Sequence, residues 1–163
     1  MTTSHATLMF LRRNNEILLG YKKRGFGEGK WNGIGGKVNE GESVLQAALR
    51  ETKEEIGVDV SGSAQQVGII TFESKGQNDR QIIASVYTAY EWVGTPTESQ
   101  EMRPKWFSVD TIPYEHMWPD DALWLPRLID NQKINDYYVF DDAMNIVEHK
   151  TMHNATFTPK LTV

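Results

Sequence analysis

Apolar residues at the start of the chain fall in short dense runs divided by polar turns. Thr7-Leu8-Met9-Phe10-Leu11 and Glu16-Ile17-Leu18-Leu19-Gly20-Tyr21-Lys22 predict two strands joined by Arg12-Arg13-Asn14-Asn15. Between Lys22 and Gly36 the pattern dissolves into glycine: Gly25, Gly27, Gly29, Gly33, Gly35 and Gly36 are six of the chain's thirteen. Such a backbone is either a flexible surface loop or one that takes up shapes other residues resist. After Ser43 the apolar period becomes helical, with Val44, Ala47, Ala48 and Thr52 returning every three or four residues. Ser43 and Gln46 form a capping-box pattern, and Gly57 stands where a left-handed C-terminal cap belongs. The spacing therefore predicts a helix over Val44 to Ile56.

Two further strands are predicted over Val67 to Glu73 and Gln81 to Tyr90, with a polar turn between them, and a short fifth strand over Lys105 to Ser108. Trp118 to Ile129 predicts a second helix, with Pro119 at its first position and Pro126 shortening or kinking it. Tyr137 to Phe140 and Ile146 to Glu148 form a late hairpin, and residues 151–163 read as a loosely held tail. No repeat or linker interrupts the series, so residues 1–163 are expected to form one mixed α+β domain.

Composition narrows the classes. Hydrophobic residues at 39% and charged residues at 24% are those of a folded soluble protein. No apolar run reaches the ~18 residues of a membrane span. The first residues carry neither a basic stretch nor a long apolar one, so a cytoplasmic location is expected. With no cysteine, thiol catalysis and thiolate metal sites are excluded, and a net charge of −5 gives no general attraction to a nucleic-acid polymer. The four histidines show no metal-ligand spacing.

The chemistry is concentrated in the first helix. At 100° per residue, Glu55 lies about 40° from Glu51, and Glu54 about 60° to its other side. Crowded like charges destabilise a helix, so this is either a solvated acidic face or a site in which a cation offsets the repulsion. Carboxylate oxygens with positions left for water and phosphate suit Mg²⁺ or Mn²⁺. Glu42 could add another oxygen, and Arg50, four residues before Glu54, could orient that carboxylate.

Gly36, Glu42, Arg50, Glu51, Glu54, Glu55, Gly57 and Val58 match the pattern G-x5-E-x7-R-E-U-x-E-E-x-G-U at every spacing. The sequence thus resembles the Nudix hydrolase family, with one departure: Thr52 stands where an aliphatic residue is usual. The resemblance implies a Nudix fold, a mixed β-sheet sandwiched between α-helices. It also implies cleavage of a nucleoside diphosphate linked to another group, with divalent metals bridging the pyrophosphate and activating water. By that resemblance Glu51, Glu54, Glu55 and the Gly36 carbonyl are candidate metal ligands. Glu101 is a second candidate ligand or base, and spacing does not say which glutamate is the base.

Two further blocks resemble the animal-type homologues of MutT that hydrolyse oxidised purine nucleoside triphosphates: Lys22 to Gly27 with Gly29 to Lys37, and Gly94 to Pro104 with Met117 to Asp121. The likeness implies that Asn32 and the Asp120–Asp121 pair read the base and that Trp118 stacks on it. It further implies that Phe26, Phe72 and Met102 wall the pocket, and that Thr7 and Lys22 lie near sugar and phosphates. An amide offers both donor and acceptor to a purine edge. Two adjacent carboxyls screened from water do not both ionise easily, so one donates while the other accepts. Equally, acids in the first turn of a helix are favoured by its dipole alone. The expected substrate is a small-molecule nucleotide and the expected state a monomer. Rival readings are another Nudix substrate (a dinucleoside polyphosphate, a nucleotide sugar or a cap) and a non-catalytic nucleotide-binding module.

Overall fold

The computed structural model describes residues 1–76 and 79–152. The elements run β1 (Thr2–Arg13), β2 (Glu16–Lys22), β3 (Trp31–Asn32), α1 (Val44–Ile56), β4 (Gln65–Ser74), β5 (Arg80–Ala89) and β6 (Met102–Ser108). A 3-10 turn (Tyr114–His116), α2 (Asp121–Ile129), β7 (Ile134–Phe140) and β8 (Ile146–Thr151) follow. The strands form one mixed sheet in the order β3-β2-β1-β5-β4-β7-β8, with β6 pairing on β2. β1 runs parallel to β5, β5 antiparallel to β4, and β4 parallel to β7.

Side-chain alternation along β1 assigns the two helices to opposite faces. Met9 and Leu11 pack with Val44, Ala48 and Ile56 of α1. Phe10, between them, packs with Trp124, Leu125 and Leu128 of α2. The sheet is therefore the filling of an α/β/α sandwich, as the family resemblance implies.

α1 has the bounds its sequence predicts because both of its ends are set locally. Ser43 Oγ accepts from the Gln46 amide at 3.1 Å, and Gln46 Oε1 accepts from the Ser43 amide at 2.9 Å. Gly57 closes the helix at φ 72° and donates its N–H to the Lys53 carbonyl. Thr52, fully buried, donates its hydroxyl to the Ala48 carbonyl at 2.8 Å, so the polar group at this aliphatic position is satisfied within the helix.

Elsewhere the bounds move. β1 starts at Thr2, not Thr7, because its polar first residues pair in register with β5 from Thr2 opposite Arg80 onward. β6 begins at Met102, paired with Lys22. α2 starts at Asp121, three residues later than predicted. Trp118 to Asp120 form the turn before it, and Pro126 sits inside a helix of only nine residues. Thr151 is no part of a tail: it pairs with Asp136, and the Met152 amide donates to the Asn135 carbonyl. Residues 153–163 lie outside the described residues. Among the described residues, no helix is long and apolar enough to cross a membrane.

Candidate active site

The glycine segment is a fitted strip along the free edge of β1. Ile34 and Met9 exchange backbone hydrogen bonds, the Thr7 amide donates to the Gly36 carbonyl at 2.9 Å, and the Val38 amide donates to the His5 carbonyl. A Cβ at Gly35 would stand 1.8 Å from the Thr7 carbonyl oxygen, so only glycine lets the two backbones lie this close. One at Gly36 would stand 2.6 Å from the Glu51 carboxyl carbon. The strip thus brings the Gly36 backbone directly against the Glu51 carboxylate.

Arg50 ties the acidic cluster together. Its guanidinium donates to both oxygens of Glu42 at 2.7 and 3.0 Å, to Glu51 at 2.9 Å, to Glu54 at 3.1 Å and to the Lys37 carbonyl at 3.0 Å. Pairing with Glu54 is present, but that carboxylate is more than half exposed and the bidentate grip falls on Glu42. Glu42, read from sequence as a further metal oxygen, therefore has both oxygens engaged by Arg50, whose hydrogen bonds hold its carboxyl below the usual range.

Glu55 differs from its neighbours. It is 6% exposed, and its Oε2 is buried with no hydrogen-bond partner. Burial, and then the charge of Glu51, push its carboxyl up to about 8 against the opposing influence of Lys22 and the Gly35 amide. Lys22 also lies 3.9 Å from Glu101, which accepts from Arg24 Nε at 2.8 Å. That hydrogen bond holds Glu101 below the usual carboxyl range. β2 thus brings Lys22 between Glu55 of α1 and Glu101, the residue just before β6.

The family model described as NUDIX domain matches residues 1–128. The chain belongs to the Nudix family. This Nudix chain is 44% identical over 149 residues to a zebrafish (Danio rerio) protein named oxidized purine nucleoside triphosphate hydrolase, covering 91% of this chain and 94% of that one. The mouse (Mus musculus) protein of the same name is 43% identical over 150 residues, covering 91% and 95%. The fold matches the crystal structure of a MutT protein from Bacillus halodurans with a TM-score of 0.81 at 20% identity, over 91% of this chain and 97% of that one.

Nudix hydrolases generally use a divalent metal, and the residues here fit one. The buried unpartnered oxygen of Glu55 and the Glu51 carboxylate whose charge acts on it are what a hard cation would offset. Among the described residues, no three acidic or histidine side chains already converge into an ion-sized cage. Arg50 holds Glu51 and Glu54 as they stand, and the Gly36 carbonyl already accepts one bond from Thr7.

Asp120, Asp121 and Phe72 lie on the opposite, α2 side of the sheet, with Trp118 and Phe26 beside the start of α2. Asp120 and Asp121 are 3% and 2% exposed. Asp120 Oδ2 accepts from the Trp124 indole at 2.7 Å, and Asp121 Oδ2 accepts from the Trp118 amide at 3.1 Å. Asp120, at the N-cap, makes no side-chain capping bond, so the dipole reading does not account for its burial. Burial raises both carboxyls, that of Asp120 to about 6 and that of Asp121 well above its ordinary range, with the charge of Asp120 adding to the second. Phe26 stacks on Trp118 at 5.2 Å while remaining 70% exposed, and the Lys30 ammonium lies 5.1 Å from the same ring. Asn32 Oδ1 accepts from the Gly33 amide at 2.8 Å. Phe72 stacks on Tyr138.

Two candidates sit apart from this group. Met102 is buried against Gly20 and Ile34 in the layer under α1. Thr7 is 1% exposed with an unpartnered hydroxyl, its amide and carbonyl both against the glycine strip. Sequence reading missed Arg127 and Asp136, which form an ion pair between α2 and β7 with the Asp136 side chain fully buried. The available signal was the alternation Ile134, Asp136, Tyr138, Phe140, which sets Asp136 on a strand's buried face.

Proposed function

We propose that this single Nudix domain is a pyrophosphohydrolase of oxidised purine nucleoside triphosphates. It would convert compounds of the 8-oxo-dGTP and 2-hydroxy-dATP type to monophosphate and pyrophosphate, and so sanitise the nucleotide pool. In this reading it works as a cytoplasmic monomer on a free nucleotide. The observation that carries the reading is the buried Asp120–Asp121 pair beside Trp118, in a chain that keeps every signature carboxylate. The names of the zebrafish and mouse relatives point the same way.

Glu51, Glu54, Glu55 and the Gly36 carbonyl would hold Mg²⁺, with Mn²⁺ able to replace it, and Glu101 stands as a further ligand. Bound there, the ion neutralises polyphosphate oxygens and lowers the pKa of the attacking water. Arg50 keeps Glu51 and Glu54 oriented while staying fixed on Glu42. Lys22 presents an ammonium to the phosphates from between Glu55 and Glu101. Glu101, held ionised by Arg24, serves better as a ligand than as a proton acceptor. At the other end, one carboxyl of the Asp120–Asp121 pair keeps a proton and donates while the other accepts, which suits either an oxidised guanine or an oxidised adenine edge. Trp118 supplies the stacking face, Asn32 a further donor and acceptor, and Phe26 and Phe72 the apolar walls, while Met102, buried under α1, takes no part in them.

A pyrophosphate-release panel tests this. With Mg²⁺, oxidised purine triphosphates should exceed dGTP and dATP in kcat/KM and also exceed a dinucleoside polyphosphate, a nucleotide sugar and a cap analogue. Equal turnover of oxidised and normal purines, or preference for a linked compound, overturns the substrate assignment.

A further inference from the structure

Lys22, Lys23 and Arg24 follow one another along the chain, and each is engaged differently. The Lys23 ammonium donates to Glu98 at 2.6 Å and to the Ser99 carbonyl at 2.9 Å, which fixes it on the loop before β6. Lys22 lies 3.9 Å from Glu101 Oε2. Arg24 donates from Nε to Glu101 Oε1 at 2.8 Å and from Nη2 to that same oxygen. The two arginines at this end of the molecule are therefore held very differently. Arg50 engages both oxygens of Glu42, two further carboxylates and a backbone carbonyl, with its side chain 26% exposed. Arg24 is held by one oxygen, its side chain is 58% exposed, and that of Glu101 is 42% exposed. An exposed, solvent-screened pair of this kind is weak and changes partners readily, whereas a partly buried fork does not.

We propose that Arg24 is a further polyphosphate-binding residue: it gives up Glu101 when that carboxylate ligates a divalent cation, and its guanidinium passes to the phosphate oxygens. This rests on the metal and polyphosphate site proposed above. The driving force is electrostatic. Glu101 Oε1 already takes two N–H donors of one cation, and a dication on the same carboxylate repels that guanidinium. A triphosphate offers more negative charge, and its paired oxygens suit the guanidinium fork better than one carboxylate oxygen does. Because Lys22 and Arg24 share Glu101, a phosphate chain that meets the Lys22 ammonium comes within reach of Arg24. The backbone beneath them is pinned, with the Lys23 amide donating to the Glu101 carbonyl and the Gly29 amide to the Lys22 carbonyl, both at 2.9 Å. The exchange therefore needs only rotation of the Arg24 side chain, with Lys22 kept in place.

Arg24→Ala should then have two effects of opposite sign, neither of which a purely structural arginine produces. Without nucleotide, its Kd for Mn²⁺, followed by electron paramagnetic resonance, should be about two- to fivefold tighter than that of the wild type, because Arg24 no longer competes for Glu101. That gain should vanish when the same change is made in a Glu101→Gln background. With Mg²⁺ present, its Kd for a nonhydrolysable oxidised purine triphosphate analogue should be weaker by about tenfold or more. Its Kd for 8-oxo-dGMP without metal should stay at the wild-type value, and Arg24→Lys should recover only part of the triphosphate loss. A wild-type Kd for either Mn²⁺ or the triphosphate analogue in Arg24→Ala, or a tightening that persists in the Glu101→Gln background, overturns the exchange. Lys22→Ala separates this failure from failure of the underlying site. If Lys22→Ala weakens the analogue and Arg24→Ala does not, only the inference falls. If neither variant weakens it, the polyphosphate does not lie at this end and the site falls too.

Discussion

Arg50 and Glu42 face each other fork to fork, with two hydrogen bonds of 2.7 and 3.0 Å between one guanidinium and one carboxylate. This pair anchors the loop before α1 to the helix itself, and the remaining Arg50 nitrogen is free to hold Glu51 and Glu54. Lysine keeps the charge but cannot form the fork. Arg50→Lys should lower kcat by about 10- to 100-fold, the usual range for losing a partner that orients metal ligands, with little change in melting temperature. Steady-state kinetics with full activity would show that the carboxylates need no such orientation.

Glu55→Gln removes the one buried signature oxygen without a partner while keeping shape. It should lower kcat by about 100-fold. The folded protein should be no less stable than the wild type at pH 7, because burial already disfavours the charged form of Glu55. Normal turnover in this variant would remove Glu55 from the chemistry.

Gly35→Ala tests the fit of the glycine strip. The added methyl meets a backbone oxygen at 1.8 Å, which no rotamer change relieves. The strip must peel from β1, at a cost of about 3 kcal/mol or more in urea melts. A loss below about 0.5 kcal/mol would mean that the strip is not held against the strand.

These features were legible in the sequence to different degrees, for a physical reason. α1 could be read to the residue because Ser43, Gln46 and Gly57 act within a few positions of themselves. The signature glutamates were legible through their spacing on the same helix. The polar start of β1, the two-residue β3 and the first half of β6 owe their structure to partners far along the chain, so no local pattern marks them. Pro119 misled the start of α2, since proline suits a first helical turn as well as the turn before it. The grip of Arg50 on Glu42 and the pairing of Arg127 with Asp136 exist only after loop meets helix and helix meets sheet.

Stability should carry the mark of Asp120. Its folded carboxyl is raised to about 6, chiefly by burial, from an ordinary 3.8. Between those values the folded protein holds a proton that the unfolded chain releases, so stability falls as pH rises through this window and stays reduced above it. Asp120→Asn abolishes the penalty while still accepting from the Trp124 indole. It should be more stable than the wild type by about 1–3 kcal/mol at pH 8 and show no gain at pH 4. A gain of equal size at both pH values would remove ionisation of Asp120 as the cause.

The central claim is that the acidic edge of α1 grips a divalent cation over a polyphosphate. Electron paramagnetic resonance of Mn²⁺, titrated with protein in the presence of a nonhydrolysable oxidised purine triphosphate analogue, tests it most directly. The wild type should quench the free Mn²⁺ signal, and the Glu51→Gln/Glu55→Gln double variant, folded and still binding 8-oxo-dGMP without metal, should leave the signal near that of nucleotide alone. Equal quenching by the two proteins would contradict the account.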